Sequence, residues 1–344
     1  MTSEVTPNVL ALDIGGANLK AADGGNYACA DFFPLWRTPE KLSEAIATLV
    51  AAAPPCSAWV VTMTGELADC FRTKRAGVAA IVDAVVVAAG PQVEVSIYLT
   101  DGTFVRPAEA KLRSLEAAAS NWHATATLVA RRFAPAAGLL IDIGSTTCDV
   151  VPFAAGVAAP LGRTDPERLA SGELIYTGVV RSPVCALVQT LPWRGKPCGV
   201  AQELFATTLD AYLMLGDLPE DPTNTNTADG RPATRELAHE RLARCVCADR
   251  ESFDVADARA AAKAILDAQL GQLAAAWRRV VERSARPIEL VVVAGQGEFL
   301  AQRLLRHVGW EGRTVSLAAE IGAAASQVAP AFALAQLADE RRRS

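Results

Sequence analysis

Two stretches with the same layout decide the fold: Val9–Lys20, VLALDIGGANLK, and Leu139–Val150, LLIDIGSTTCDV. In each, a short apolar run reaches Asp-Ile-Gly, a small polar turn follows, and a second extended segment begins. Asp13 corresponds to Asp142, which lies 129 positions along the chain. This layout is typical of a buried strand that leads into a glycine turn and a second strand. The repetition of a whole unit predicts two similar domains in one chain.

Length and composition agree with two globular domains and exclude several classes of protein. A chain of 344 residues is long enough for two domains. The 51% hydrophobic and 21% charged residues exclude disorder for the bulk of the chain. A net charge of -5 excludes the overall basic surface that nucleic acid or an anionic membrane attracts. Scattered cysteines without a CxxC pair indicate reduced thiols rather than disulfides or a zinc site.

Targeting and membrane signals are weak in this sequence. The first residues, MTSEVTPN, lack the basic and apolar segments of a secretory signal. The most apolar segment, residues 76–99, is interrupted by Asp83, Gly90, Pro91 and Glu94, so it is too broken for a membrane span. We therefore expect a cytoplasmic protein with small-molecule partners and with neither nucleic-acid nor membrane partners. A homodimer is left open.

The pattern outward from the repeats alternates apolar strands with helical stretches, which predicts an α/β fold. We expect a first domain over residues 1–134 and a second over residues 135–319. The second domain carries an inserted loop, residues 215–234, which is rich in Pro, Asn, Asp and Gly. A C-terminal helix over residues 320–337 is expected to complete the first domain. Longer helices are predicted at residues 67–88, 107–133 and 255–283.

Glycine turns end three of the apolar strands, in DIGGANLK (13–20), DIGSTTCD (142–149) and VAGQGE (293–298). Glycine lets backbone N–H groups approach phosphate oxygens closely, and hydroxyl groups add donors. None of these turns has the spacing of a Rossmann or P-loop motif. Arg181 can bind an anion with two parallel donors, or be an ordinary surface arginine. The predicted substrate and diphosphate contacts are Gly15, Gly16, Asn18, Gly144, Ser145, Thr146, Thr147, Arg181, Gly295, Gln296 and Gly297.

The combination of these turns resembles the superfamily of sugar kinases, heat-shock ATPases and actin. That resemblance implies two ribonuclease-H-like domains that flank a cleft, with the first two turns as phosphate loops. VVVAGQGEFL (291–300) is similar to the segment that contacts adenosine in nucleotide-binding members. Four further motifs narrow the resemblance: TMTGELADCF (62–71), YTGVVRSPVCAL (176–187), FATTLDAYLMLGDLPED (205–221) and TADGRPAT (227–234).

With these motifs the chain, over residues 9–335, resembles hydantoinase/oxoprolinase-related proteins of tetrahydromethanopterin-linked C1 transfer. Archaeal relatives make methanofuran, so the resemblance implies a role in one-carbon metabolism and methylotrophy. It implies a transferase that joins a phenolic, tyramine-derived acceptor to aminomethylfuran-methyl diphosphate and releases diphosphate. A bacterial homologue would make a methylofuran precursor in this way, with Mg²⁺ as the expected cofactor.

The residue types suit that chemistry. Asp13 and Asp142 are candidate Mg²⁺ ligands, and Lys20 can neutralise the leaving diphosphate. A phenol has a pKa of about 10, so a base would help, and both Glu66 and Asp101 follow apolar strands at turns. Each has a simpler alternative, since Glu66 can cap the following helix and Asp101 can be a plain turn residue. Asp149 lies seven positions after Asp142, as Lys20 does after Asp13, and can face the same cleft.

Other polar residues have two interpretations as well. Asp229 and Arg231 can close over the substrate or form a turn within the loop. His123, His239 and His307 lie in predicted helices without metal spacing, and we expect structural roles for them.

Three other functions stay open from the sequence. The phosphate loops suit an ATP-dependent small-molecule kinase of the same fold equally well, and ATP is a cofactor only in that case. A nucleotide-binding regulatory or assembly protein is a third candidate, against which the loop at residues 215–234 argues mildly. A hydrolase is disfavoured because no Cys–His or metal arrangement supports it.

Overall fold

Two mixed β-sheets form the frame of the protein in its computed structural model, which describes residues 9–343. The strands of the first sheet are β1 (Val9–Ile14), β2 (Asn18–Ala22), β3 (Ala28–Phe32), β4 (Ala58–Met63), β5 (Glu94–Tyr98) and β6 (Phe104–Val105). They lie in the order β3-β2-β1-β4-β5-β6. β2 is antiparallel to both β1 and β3, whereas β1, β4 and β5 are mutually parallel.

The second sheet repeats the arrangement of the first. Its strands and those of a separate hairpin are β7 (Gly138–Ile143), β8 (Cys148–Ala154), β9 (Val157–Ala158), β10 (Leu174–Ile175), the hairpin strands β11 (Thr190–Trp193) and β12 (Lys196–Gly199), β13 (Leu290–Ala294) and β14 (Arg313–Ser316). The order is β10-β8-β7-β13-β14, with β9 paired to β8. Again three antiparallel strands adjoin two parallel ones. This shared topology confirms the predicted α/β fold class with two ribonuclease-H-like units.

The helices follow the strands in chain order. They are α1 (Leu42–Val50), α2 (Lys74–Ala89), α3 (Pro107–Leu112), α4 (Ser114–Ala117), α5 (Asn121–Arg132), α6 (Asp165–Ser171), α7 (Val184–Leu187), α8 (Thr208–Leu215), α9 (Arg235–Arg244), α10 (Val255–Arg283), α11 (Glu298–His307), α12 (Leu317–Ile321), α13 (Ala323–Gln327) and α14 (Ala329–Arg343). A single 3₁₀ turn at Pro39–Lys41 precedes α1. The bounds of α10 are those that the sequence predicted. Across residues 9–343, none of the helices combines the length and apolarity needed to cross a bilayer.

Three predicted helices were wrong in their extent. The helix predicted at residues 67–88 begins only at Lys74, where Thr73 caps it by accepting from the Ala76 N–H. The stretch at residues 107–133 is three helices, because α3 ends at its C-cap Arg113, with φ -97° and ψ 41°, and Ala119 adopts a left-handed conformation with φ 48° before α5. The segment predicted as one helix over residues 320–337 breaks at Gly322, which has φ 90°, and its last helix continues to Arg343.

Each of two helices packs against the sheet other than the one that directly precedes it in the sequence. α5 follows the first sheet in sequence but packs against β8 and β9 of the second. α14 follows the second sheet but packs against β1, β2 and β4 of the first, and α5 and α14 also contact each other. The chain therefore crosses between the sheets at two places. The domain limits at residues 134 and 319 stay a prediction.

Strand alternation in β1 positions the site. Leu10, Leu12 and Ile14 face the core that α1 and α2 cover. Val9 and Ala11 face the opposite side, where α14 packs. Asp13 lies on this second face, at the carboxyl end of the strand, where the glycine turn begins. The sequence alternation thus places a carboxylate where the two units meet.

Candidate functional site

The first two glycine turns have the same backbone geometry. In the first, the Gly15 N–H donates to the Asn18 carbonyl at 3.0 Å, and in the second the Gly144 N–H donates to the Thr147 carbonyl at 2.9 Å. A Cβ on Gly15 would lie 2.7 Å from the Asn18 oxygen, so only glycine fits there. Both turns therefore have the tight form that the sequence repeat predicts.

The third turn lies directly against the second one. A Cβ on Gly295 would be 2.4 Å from Asp142 Oδ1, and Gly295 also has φ 83°, which glycine tolerates. The Gly297 N–H donates to the Ile143 carbonyl at 2.9 Å. The structure thus brings the turn at residues 295–297 beside Asp142, with Gln296 exposed.

Asp13 and Lys20 face each other across the first hairpin. They are partners in the β1–β2 register, and Lys20 Nζ lies 3.6 Å from Asp13 Oδ2. Asp13 is buried, and its Oδ1 atom has no hydrogen-bond partner in the described chain. Burial raises the pKa of Asp13, whereas the Lys20 ammonium group and the nearby Asn121 amide lower it. A buried oxygen without a partner suits a ligand that binds from the cleft.

Asp142 and Asp149 occupy the same two places in the second hairpin. Burial raises the pKa of Asp142 to about 7, and the neighbouring Asp149 carboxylate adds to the rise, which Lys20 opposes. Arg168, itself 1% exposed, donates to Asp149 at 2.8 Å and lies 3.8 Å above the Trp122 ring. Asp149 is therefore held by a buried arginine, and this contact argues against a direct role for it in substrate binding.

The candidate ligands of a metal ion are the two aspartates near the ends of β1 and β7, Asp13 and Asp142. Residues 9–343 hold no group of three or more His, Cys, Asp or Glu residues able to ligate a metal. Asp13 offers an unpartnered oxygen, and it is close enough to Asp142 for its charge to contribute to the raised pKa of Asp142. Mg²⁺ often binds through one or two carboxylates together with substrate phosphates. The residues present fit such a shared site.

Glu66 is a buried carboxyl group that follows β4. It is 1% exposed, and its Oε2 atom has no hydrogen-bond partner within residues 9–343. Burial raises its pKa to about 7, against the effect of the Lys74 ammonium group. Glu66 does not cap the following helix, because that helix starts at Lys74 and Thr73 caps it. A pKa of about 7 suits a group that accepts a proton near neutral pH.

Asp101 has a different environment from Glu66. Its carboxylate accepts from the Thr103 N–H at 2.9 Å and forms an ion pair with Arg113 at 2.6 Å. Partial burial works in the other direction, but the hydrogen bonds from Thr103 and Arg113 lower the pKa of Asp101 to about 2. These contacts are those of a turn residue, which favours the simpler of the two interpretations.

Two contacts join the units across the cleft, and the sequence analysis missed both. Lys74 at the start of α2 forms a 2.8 Å ion pair with Asp165 at the start of α6. The Arg181 guanidinium lies over the ring of Trp36, 5.5 Å from its centroid. Each contact joins residues far apart in sequence, so no local pattern indicates it.

The inserted loop at residues 215–234 is fixed in place by ion pairs. Arg241 is fully buried and contacts Asp210 at 2.7 Å and Asp229 at 3.1 Å. Arg231 pairs with Asp229 and with Glu240, each at 2.8 Å. Asp229 and Arg231 are therefore engaged within the second unit, and the turn interpretation suits them better than closure over a substrate.

The histidines behave as expected for structural residues. His123 accepts from or donates to the Tyr98 hydroxyl at 2.8 Å, and burial lowers its pKa to about 4. His239 is buried and lies 2.6 Å from the Phe253 carbonyl. His307 is exposed near the end of α11.

A second repeat connects β4 with β13. The Gly65 N–H donates to the Ile14 carbonyl at 3.0 Å, as the Gly297 N–H does to the Ile143 carbonyl. This match makes Glu298 the counterpart of Glu66. The signal was present in the sequence, since VVTMTGE (60–66) resembles VVAGQGE (292–298).

Comparison with known proteins places these features in context. The sequence model of the hydantoinase/oxoprolinase family matches residues 58–341. A relative from Methanocaldococcus jannaschii is 33% identical over 334 residues, which is 96% of this chain and 97% of the relative. That relative is named (4-{4-[2-(gamma-L-glutamylamino)ethyl]phenoxymethyl}furan-2-yl)methanamine synthase.

Further relatives are more distant. A Methanococcus vannielii protein of the same name is 28% identical over 205 residues, which is 58% of this chain and 89% of that protein. Component A of the Acidaminococcus fermentans (R)-2-hydroxyglutaryl-CoA dehydratase is 12% identical, with a TM-score of 0.48 over 98% of this chain and 99% of that structure.

Proposed function

We propose that this chain, which belongs to the hydantoinase/oxoprolinase family, is an aryl-ether-forming transferase of methanofuran-type cofactor biosynthesis. Its substrates would be aminomethylfuran-methyl diphosphate and a phenolic, tyramine-derived acceptor. The product of the archaeal relative, as its name states, carries a phenoxymethyl group on a furan with a methanamine. The 33% identity along almost the whole of both chains is the observation that carries this proposal.

The reaction exchanges one C–O bond for another. The bond between the furfuryl carbon and the diphosphate oxygen breaks, and its electron pair leaves with diphosphate. A lone pair of the phenol oxygen forms the new bond to that carbon, and the phenol proton passes to a base. Because a furfuryl carbon supports positive charge, the leaving group must be stabilised early.

The glycine turns and Lys20 would receive the leaving diphosphate. Gly16 and Ser145 lie in tight turns of the kind whose backbone N–H groups donate to phosphate oxygens. Lys20 adds a positive charge beside Asp13. Asp13 and Asp142 would hold Mg²⁺ together with phosphate oxygens. When bound, the ion would neutralise charge that develops on the diphosphate.

We infer that Glu66 is the base, on the grounds of its burial, its unpartnered oxygen and its raised pKa. It is buried, and its pKa is raised to about 7. At neutral pH part of the protein therefore carries an ionised Glu66, which can accept the proton of a phenol. Asp101 is held by Arg113 and has a low pKa, which makes it a poor proton acceptor. We therefore assign proton removal to Glu66 and a structural role to Asp101.

Diphosphate release with defined co-substrates tests the proposal. We expect the purified protein to release diphosphate from the furan substrate only when the phenolic acceptor is present, with no requirement for ATP. Mass spectrometry should detect an ether product whose mass equals the two organic groups joined through one oxygen. Release that needs no acceptor would identify a hydrolase and contradict the proposal.

A small-molecule kinase is the second candidate, because paired glycine turns beside aspartates also suit ATP. The same assay separates the two, since a kinase would convert ATP to ADP and form a phosphorylated product. That outcome, without ether formation, would replace the transferase assignment. An assembly protein would show neither product.

A further inference from the structure

Trp36 is fixed at the rim of the first glycine turn. The segment after β3 lies against that turn, since the Phe33 N–H donates to the Ala17 carbonyl and the Leu35 N–H donates to the Gly16 carbonyl, both at 3.0 Å. Leu35 is fully buried and anchors the segment. Trp36 follows it immediately and is half-buried, so its ring has a set position with one part open to solvent.

Arg181 reaches Trp36 from the second glycine turn. Its backbone N–H donates to the Ser145 carbonyl at 2.9 Å, and its exposed side chain extends over the indole. The indole is therefore linked to the first of the turns that we assign to diphosphate by its own segment, and to the second by the Arg181 side chain. Its face already carries a cation in this structure, as expected for the aromatic side chain that binds cations best.

The other five tryptophans of the chain are buried or have other partners in the fold. Three are buried in hydrophobic cores, namely Trp59, Trp122 and Trp277. Trp193 donates to the Ser252 carbonyl and Trp310 packs edge-on against Trp277. Trp36 alone among them adjoins a glycine turn through its own segment and an arginine of the opposite unit.

We propose that Trp36 binds the furan ring of the diphosphate substrate and that Arg181 leaves the indole to bind the diphosphate. This inference rests on the proposed function and names the ring-recognition site for it. A furan that bears an ammonium group, and whose methyl carbon becomes positive as diphosphate leaves, is a suitable partner for an indole face. The Arg181 guanidinium is then free for two parallel hydrogen bonds to phosphate oxygens.

Direct binding separates ring recognition from phosphate recognition. Calorimetric titration in Mg²⁺ would compare aminomethylfuran-methyl diphosphate with inorganic diphosphate. Trp36→Ala should weaken binding of the furan compound about ten-fold and leave that of inorganic diphosphate unchanged. Trp36→Phe, which keeps an aromatic face, should retain most of the affinity that Trp36→Leu loses. Arg181→Met should weaken both probes.

Trp310→Phe is the matched control, because the ring of this tryptophan packs against Trp277 rather than under Arg181, and its replacement should leave both dissociation constants unchanged. Equal weakening of the two probes in Trp36→Ala, or no weakening of the furan compound, would overturn the inference. If Trp36→Ala fails to fold, the Leu and Phe variants decide. Since binding is measured without turnover, a wild-type protein that binds the furan compound but forms no ether would refute the proposed function and leave ring recognition standing.

Discussion

The two halves of the molecule share a backbone plan and differ in the charges they carry. Across the first hairpin, Asp13 faces Lys20, whereas across the second, Asp142 faces Asp149. The strand beside each hairpin is followed by a turn that ends in glycine and glutamate, with Glu66 in the first half and Glu298 in the second. Duplication thus explains where these side chains lie, and divergence explains what each can do.

The two glutamates show this difference most clearly. Glu298 accepts from the Ser316 hydroxyl at 2.7 Å and from the Ala318 N–H at 3.2 Å, so it serves to start α12. Glu66 has a buried oxygen without a partner and a pKa of about 7. A satisfied carboxylate supports structure, and an unsatisfied one is available for chemistry. Of these two glutamates only the one in the first half is left for chemistry, and in the second half Asp149 and Glu298 are held by Arg168 and Ser316.

Replacing the paired glutamates would test that division with the largest expected effect. Glu66→Gln should lower kcat for ether formation by about 10²- to 10⁴-fold, because the base is lost. Glu298→Gln should leave kcat near the wild-type value and lower the free energy of unfolding by on the order of 1 kcal/mol, since one hydrogen bond is weakened. Steady-state diphosphate release and thermal unfolding measure the two effects. Equal losses of kcat in both variants would contradict the division.

Replacing Lys20, which lies opposite Asp13 in the first hairpin, should have the next largest effect. Lys20→Met should reduce kcat/KM by about 100-fold, because the leaving diphosphate loses a fixed positive charge. Lys263 on α10 has a side chain that is 69% exposed, and Lys263→Met is the matched control, with no expected change. Unchanged turnover in Lys20→Met would mean that the first glycine turn does not bind the diphosphate.

Ionisation of Glu66 as the pH rises should increase the activity and lower the free energy of unfolding. Activity should rise as the pH passes about 7, because only the ionised carboxylate accepts a proton. The pKa of Glu66 is higher in the folded protein than its usual 4.5, so the folded state binds the extra proton between these values. The free energy of unfolding should therefore fall as the pH rises from about 4.5 through 7, by on the order of 3 kcal/mol.

The Glu66→Gln variant isolates this contribution from those of the other buried carboxyl groups. Glutamine carries no proton to lose, so the stability difference between variant and wild type should favour the variant at pH 8 and shrink towards pH 4. Chemical denaturation at several pH values measures the difference. A difference that does not depend on pH would show that Glu66 titrates normally.

Local sequence patterns predicted the shared plan of the halves. The repeat of Asp-Ile-Gly predicted two similar units, and the seven-residue offset to Lys20 and Asp149 matched the observed hairpin partners. Strand alternation and turn length are local properties, so they can be recognised in the sequence itself. Helix limits were less predictable, since the break at Ala119 accompanies hydrogen bonds of Ser120 to Thr62 and Tyr98, which lie far away in sequence.

The choice among similar residues depended on tertiary contacts. Glu66 and Asp101 both follow a strand at a turn, and nothing local distinguishes a carboxyl group that Arg113 holds from one that packing buries. Trp36 and Arg181 come from different units and meet only because the cleft brings the two turns together. Packing, more than residue type, sets which of several carboxyl groups has a raised pKa and which a lowered one.

Replacing Asp101 should have the smallest effect on kcat, and it tests the contrast between Asp101 and Glu66 in the first half. Asp101→Asn should leave kcat close to the wild-type value, because the carboxylate of Asp101 is held by Arg113 and Thr103 rather than aimed at a substrate. Loss of this partly exposed ion pair should lower the free energy of unfolding by about 1 kcal/mol. Thermal unfolding and diphosphate release, measured beside Glu66→Gln, provide the comparison. A loss of kcat as large as that of Glu66→Gln would return Asp101 to the list of candidate bases and remove the argument that a low pKa and a fixed partner mark a structural carboxylate here.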